Sequence, residues 1–169
     1  DAAQRFNSRF GETFVVPEHV IPPVAARIMD LQRPIDKMSK SAEAENGVVM
    51  ILEDLKSIEK KFKRAVTDSE DEVRFDRANK PGVSNLLEIL SAVTDKDPEA
   101  LASGYTQYGR LKVDTAEAVI SVLQPIQERF TELAADPAET QRLLAIGADK
   151  AREIASVVYE RARNNMGFL

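Results

Sequence analysis

Lys37-Met38-Ser39-Lys40-Ser41 places two ammonium groups and two hydroxyls within five consecutive residues. A lysine is a compact, strongly hydrated point charge on a flexible stem. Two of them on one loop suit a polyphosphate that must be gripped and then released. They can stabilise the charge that builds on a departing pyrophosphate, and fixed electrostatic help of that kind is often the largest catalytic contribution. The serines can donate hydrogen bonds to phosphate oxygens, and a mobile loop lets nucleotide enter and product leave. The competing reading is a plain solvated loop, and on the pentad alone the two readings weigh equally.

Other chemistries are excluded more firmly. The 169 residues contain no cysteine, so there is no disulfide, thiolate metal site or cysteine nucleophile. The one histidine, His19, reads as a surface-turn residue and rules out a multi-histidine metal site; no metal ligand set is expected. A net charge of −5 argues against a generic nucleic-acid coat but leaves room for a local basic patch. No apolar run approaches about 18 residues and no basic-then-apolar leader opens the sequence. A soluble, cytoplasmic protein with no membrane partner is expected. The start at Asp1, with a helical pattern already under way, reads as a trimmed or processed terminus or, more sharply, as the back portion of a longer protein.

The elements that must position the pentad follow from periodicity and punctuation. Residues 2–10 read as a helix stopped by Gly11, with Phe6 and Phe10 at i, i+4 spacing. Thr13 to Val16 is a β-type run closed by Pro17. A short helix is predicted over Val24 to Leu31, then a loop from Gln32 to Asn46 that carries the pentad. Asp54 caps a helix with Leu55, Ile58, Phe62 and Val66 on one face. Residues 67–82 form a long loop. Val83 to Val93 is a buried helix, and Asp97-Pro98 opens a short one. Leu111 to Ala134 is helical with Pro125 inside, where a kink is expected. Asp136-Pro137 opens a last helix to about Arg163, with Leu143, Leu144, Ala148, Ile154, Val157 and Val158 as its apolar residues. The lone strand needs a sheet that the rest of this sequence does not supply.

The pentad is the signature loop of class I aminoacyl-tRNA synthetases. The surrounding sequence resembles the bacterial tryptophanyl-tRNA synthetase family. The resemblance runs through Arg5-Phe6-Asn7-Ser8-Arg9-Phe10-Gly11, Ala26-Arg27-Ile28-Met29, Ala65-Val66-Thr67-Asp68-Ser69-Glu70, Lys80-Pro81-Gly82-Val83-Ser84-Asn85-Leu86-Leu87 and Pro125-Ile126-Gln127-Glu128-Arg129-Phe130. It covers essentially the whole chain, and the Thr-Asp-Ser-Glu and Lys-Pro-Gly-Val-Ser-Asn blocks are specific to the tryptophan enzyme.

The resemblance implies a mainly α fold: the end of a Rossmann-type catalytic domain with one short strand, followed by a C-terminal helical bundle. Residues 1–66 would close the catalytic domain and 67–169 would form the helical, anticodon-side tRNA-binding domain. The intact enzyme would join tryptophan to ATP, with Mg2+ accompanying the ATP, and pass it from tryptophanyl-adenylate to tRNA(Trp). Lys37 and Lys40 match the catalytic lysines that contact ATP phosphates. Met38, Ser39 and Ser41 complete that loop, and Ile28 matches a position whose backbone lies against the adenine. The nucleotide signature and the tryptophan pocket would lie in a preceding N-terminal half, and the intact enzyme would be a homodimer. Without that half the chain is expected to be inactive. The sequence departs from the family after the pentad, where Ala42-Glu43-Ala44-Glu45-Asn46-Gly47 replaces an Asp-Pro-Asn-Pro type stretch. The alternatives are a non-catalytic helical tRNA-binding or structural fragment, or the related tyrosine enzyme.

Three charged regions carry weaker signals. Lys60, Lys61, Lys63 and Arg64 read as a solvated face before they read as a tRNA contact. On the last helix, Lys150 and Arg152 are the candidate tRNA-binding residues. Asp68, Glu70, Asp71, Glu72 and Asp76 read as a solvated acidic loop, with a magnesium site as the alternative.

Overall fold

The computed structural model describes residues 1–41 and 45–168. Among them six α-helices follow in order: α1 Ala2–Phe10, α2 Leu55–Lys63, α3 Pro81–Thr94, α4 Pro98–Ala102, α5 Tyr108–Ala135 and α6 Pro137–Met166. A single 3-10 turn spans Glu45–Gly47. The mainly helical class expected from the sequence is the observed one. Among the described residues no helix is long and apolar enough to cross a membrane.

Local chemistry sets the helix starts. The Asp54 carboxylate accepts from Ser57 N at 3.0 Å and caps α2. Asp97 accepts from Glu99 N and Ala100 N ahead of Pro98. Asp136 accepts from Glu139 N ahead of Pro137. Each proline occupies a first-turn position whose missing N–H removes nothing. Gly11, with φ 89°, ends α1 in a conformation that only glycine adopts cheaply. Pro125 lies within α5, which continues as one helix to Ala135.

The chain divides into two compact units, Ile21–Phe130 and Asp1–Val20 with Thr131–Leu169. The larger unit holds the core. Ile58 and Phe62 of α2, Val83, Leu86 and Leu87 of α3 and Leu111 of α5 are all at most 2% exposed. Each such side chain contributes roughly 1.5–3 kcal/mol by leaving water. From Gly82 to Ser91 every residue of α3 is buried, the polar Ser84, Asn85, Glu88 and Ser91 included. A Cβ at Gly82 would stand 2.1 Å from Val66 O, so glycine there lets α3 approach the backbone that follows α2.

In the smaller unit, Phe6 of α1 packs on Phe10 and Phe14 with ring centroids 4.9 and 4.8 Å apart. Asn7 Nδ2 donates to Phe14 O at 2.7 Å, while its Oδ1 accepts from Thr13 N and Phe14 N. Asn165 of α6 donates to Thr13 Oγ1 at 2.7 Å.

Two expectations fail for one reason. Thr13–Val16 is not a strand, because the Asn7 carboxamide takes the backbone groups that a neighbouring strand would take. Val24–Leu31 is not a helix: Ala25 has φ 54°, and Ile28 and Asp30 bond across to residues 36–38. In both places a hydrogen-bond partner outside the segment overrides local propensity. The apolar residues of α6 also stay largely uncovered, with Leu144, Ile154 and Val157 each at least 67% exposed. Periodicity identifies an apolar face but not what covers it.

Candidate functional site

The pentad grows out of a two-stranded bridge. Met38 N donates to Ile28 O at 3.0 Å and Asp30 N to Asp36 O at 2.8 Å, around the antiparallel pair Met29 and Lys37. That is the pattern of a non-hydrogen-bonded pair, in which the two residues turn their own N–H and C=O groups away from each other. On the Met29 side those groups meet α3. Met29 N donates to Asn85 Oδ1 and Asn85 Nδ2 donates to Met29 O, both at 2.9 Å.

The far end of the loop is tied down as well. Leu31 N donates to Gly47 O at 2.9 Å, and Val66 N to Leu31 O at 2.7 Å. Asp30, 4% exposed, accepts from Gln32 N and Arg33 N at its Oδ1. Gly47 sits hard against that carboxylate, where an added Cβ would be 2.0 Å from Oδ1. Lys61 Nζ donates to Val48 O at 2.7 Å and pairs with Glu53 at 2.7 Å. Burial opposes the Glu53 charge, but hydrogen bonds from Lys61, Ser57 and Met50 N hold its pKa below the usual carboxylate value.

Between these anchors the pentad side chains face solvent. Lys37, Ser39, Lys40 and Ser41 are exposed; Met38 is half-buried against the core, as is Ile28. Ser39 Oγ and Ser41 Oγ lie 3.1 Å apart. Among the described residues neither Lys37 nor Lys40 enters an ion pair, so both ammonium groups are free to meet an anion. Lys40 lines a cleft of about 500 Å³ with Glu45, Val48, Met50, Leu52, Glu53 and Lys61. The structure therefore brings Ile28, Lys37, Met38, Ser39, Lys40 and Ser41 onto one hairpin and its loop. Of the departure after the pentad, Ala42, Glu43 and Ala44 lie outside the described residues, and Glu45–Gly47 is the 3-10 turn. Lys150 and Arg152 belong to the other unit, both exposed on α6, where Arg152 pairs with Asp149 at 2.6 Å.

The sequence reading missed the anchors. Asn85 stood in a resemblance block with no role assigned to it, and Lys61, read as part of a solvated face or a tRNA contact, is half-buried. The acidic loop is likewise neutralised from within. Lys80, its side chain 0% exposed, pairs with Asp68 and Glu70 at 2.8 Å each and donates to Tyr108 Oη at 3.1 Å. Tyr108 in turn donates to Asp68 Oδ1 at 2.5 Å. Burial works against the Asp68 charge, yet hydrogen bonds from Lys80, Tyr108 and Glu70 N hold its pKa down to about 2. Burial works against the Lys80 charge too, and its bonds to Asp68, Glu70 and Tyr108 lift its pKa above the usual lysine value. Arg74 pairs with Glu70, Glu72 and Asp76. The one available signal was a lysine directly ahead of a first-turn proline, which is too common to single out.

A loop of two unpaired lysines on a bridged hairpin, backed by a buried helix, has a match among known families. The model of the class I tRNA synthetases for W and Y covers residues 1–130. The chain belongs to this family. Tryptophan–tRNA ligase 1 of Streptomyces avermitilis is 49% identical over 100% of the chain and 51% of its own length. The Mycobacterium leprae tryptophan–tRNA ligase is 50% identical over 100% of the chain and 50% of its own. The chain thus spans about half the length of the curated relatives it matches. Among solved structures, the tryptophanyl-tRNA synthetase of Mycoplasma pneumoniae superposes with a TM-score of 0.86 at 30% identity, over 98% of this chain and 50% of that one. The Campylobacter jejuni enzyme, complexed with ADP and tryptophan, gives 0.61 at 26% identity over 98% and 51%.

Proposed function

We propose that these residues are the signature-loop and helical portion of a tryptophan–tRNA ligase. The observation that carries this reading is the identity of 48–50% to tryptophan–tRNA ligases over the full chain. The free lysines of the pentad give it a mechanism. In the complete protein the tryptophan carboxylate attacks the α-phosphorus of ATP, the bond to the β-phosphate bridging oxygen breaks, and pyrophosphate leaves with its electron pair. Lys37 and Lys40 meet the negative charge that accumulates on the leaving group. Ser39 and Ser41 donate to phosphate oxygens, and the Ile28 backbone and Met38 border the nucleotide. Mg2+ enters as the partner of the nucleotide, held largely by phosphates and water. A later transfer moves tryptophan to the 3′ end of tRNA(Trp).

In this reading residues 1–66 complete a Rossmann-type catalytic domain and 67–169 form the anticodon-side helical domain, with Lys150 and Arg152 as phosphate contacts. The whole protein works in the cytoplasm as a homodimer. The test is ATP–pyrophosphate exchange by the complete gene product. Exchange that depends on tryptophan supports the reading. Exchange with tyrosine and none with tryptophan overturns the substrate assignment, and tRNA binding with no exchange would leave only a binding module.

A further inference from the structure

We infer that Asn85 of α3 is a positioning residue that sets the register and reach of the pentad loop through Met29; as a statement about catalysis this rests on the proposed ATP chemistry of Lys37 and Lys40. Because Met29 and Lys37 are a non-hydrogen-bonded pair, the Met29 N–H and C=O point outward, toward where a third strand would lie. No strand is there among the described residues. The Asn85 carboxamide stands in for it, accepting from Met29 N and donating to Met29 O with both bonds at 2.9 Å. A primary amide is one of few side chains that can present a donor and an acceptor with the spacing of a peptide. Asn85 is 2% exposed, so water cannot replace either bond. It projects from the most buried helix of the larger unit, which makes it a fixed reference point.

The connection to the lysines is short. Asn85 holds Met29, Met29 faces Lys37 across the bridge, and Met38 N closes the ladder onto Ile28 O at 3.0 Å. Loss of the amide therefore frees one strand of the hairpin whose other strand begins the pentad. The expected consequence is a misplaced loop rather than an unfolded core. A displacement of about 1 Å in a reacting constellation can cost roughly 100-fold in rate.

Two variants in the complete gene product test this. Asn85→Ala removes both bonds. Asn85→Leu keeps nearly the same side-chain volume, removes both bonds and buries no charge, so it decides the matter if the alanine variant does not fold. Amide hydrogen exchange should quicken at Met29, Asp30 and Met38 by roughly tenfold or more, while the amides of Leu86 to Leu90 keep their protection. In tryptophan-dependent ATP–pyrophosphate exchange, kcat per titrated active site should fall at least about tenfold, with KM for tryptophan changed less than about twofold. Unchanged hairpin amides, equal loss of protection throughout α3, or an unaltered kcat per active site would each overturn the inference. If the unaltered protein shows no exchange with tryptophan, the functional reading fails, and the hydrogen-exchange pattern still decides whether Asn85 holds the hairpin.

Discussion

Lys40 and Lys80 put the same side chain to opposite uses. Lys40 is exposed on a loop between two anchors and enters no ion pair among the described residues, so its charge is available. Lys80 is fully buried, shared between Asp68 and Glu70, and bonded to Tyr108. Its charge is consumed in holding the 67–80 loop to α3 and α5. A lysine contributes to a reaction when its partners are absent in the resting protein, and to architecture when they are present. Both lysines lie in the larger unit and depend on α3, one through Asn85 behind the hairpin and one at the helix start.

This contrast can be broken in several ways. In the complete gene product, Lys40→Ala should slow adenylate formation by roughly 100- to 1,000-fold, the loss typical of one removed charge-stabilising donor, with no change in thermal midpoint. Tryptophan-dependent exchange kinetics check it. Lys80→Met should do the reverse. It strips the Asp68 carboxylate of its cation and leaves it only the bonds from Tyr108 and Glu70 N; the thermal midpoint should fall by roughly 10 °C, while the rate per folded molecule stays within about threefold. Next in size is Gly47→Ala, whose new Cβ meets the Asp30 carboxylate that holds the Gln32 and Arg33 amides. A cost of about 1–3 kcal/mol is expected in urea unfolding.

The acid limb of stability sharpens the same contrast. Asp68 has its pKa lowered in the folded chain from 3.8 to about 2. Its contribution is therefore complete above 3.8 and is lost as pH falls toward about 2. Lys80 is raised, so its contribution is complete below 10.5 and is lost only in stronger base. A Tyr108→Phe variant, which removes one of the bonds to Asp68, should flatten the acid limb. Smallest of all, Lys63→Ala breaks an exposed i, i+4 pair with Glu59 and should stay within about 0.5 kcal/mol of the parent.

How much was legible in the sequence follows from the range of each interaction. The caps at Asp54, Asp97 and Asp136 reach two or three residues, and the helices they open begin where predicted. The buried helix over 83–93 declared itself by Val83, Leu86, Leu87, Leu90 and Val93 at helical spacing. The pentad was legible as chemistry because its groups are adjacent. Its support was not, because Asn85 lies 56 residues from Met29 and nothing near either residue signals the pairing. The misread strand at 13–16 and the misread helix at 24–31 each lost out to a hydrogen-bond partner outside the segment. In both, a side-chain amide or a bridging segment takes backbone groups that local propensity alone would assign elsewhere. The Lys80 cluster hid inside what looked like a solvated acidic loop, since burial of a charge depends on partners brought together by the fold.

The most direct measurement compares tryptophan-dependent ATP–pyrophosphate exchange, per folded molecule, in the complete gene product and its Lys40→Ala and Lys80→Met forms, with thermal midpoints recorded on the same samples. The predicted result is a rate loss of roughly 100-fold or more for Lys40→Ala at an unchanged midpoint, and a lowered midpoint with a nearly unchanged rate for Lys80→Met. Exchange in Lys40→Ala equal to that of the parent protein would contradict the assignment of the pentad to the phosphates of ATP.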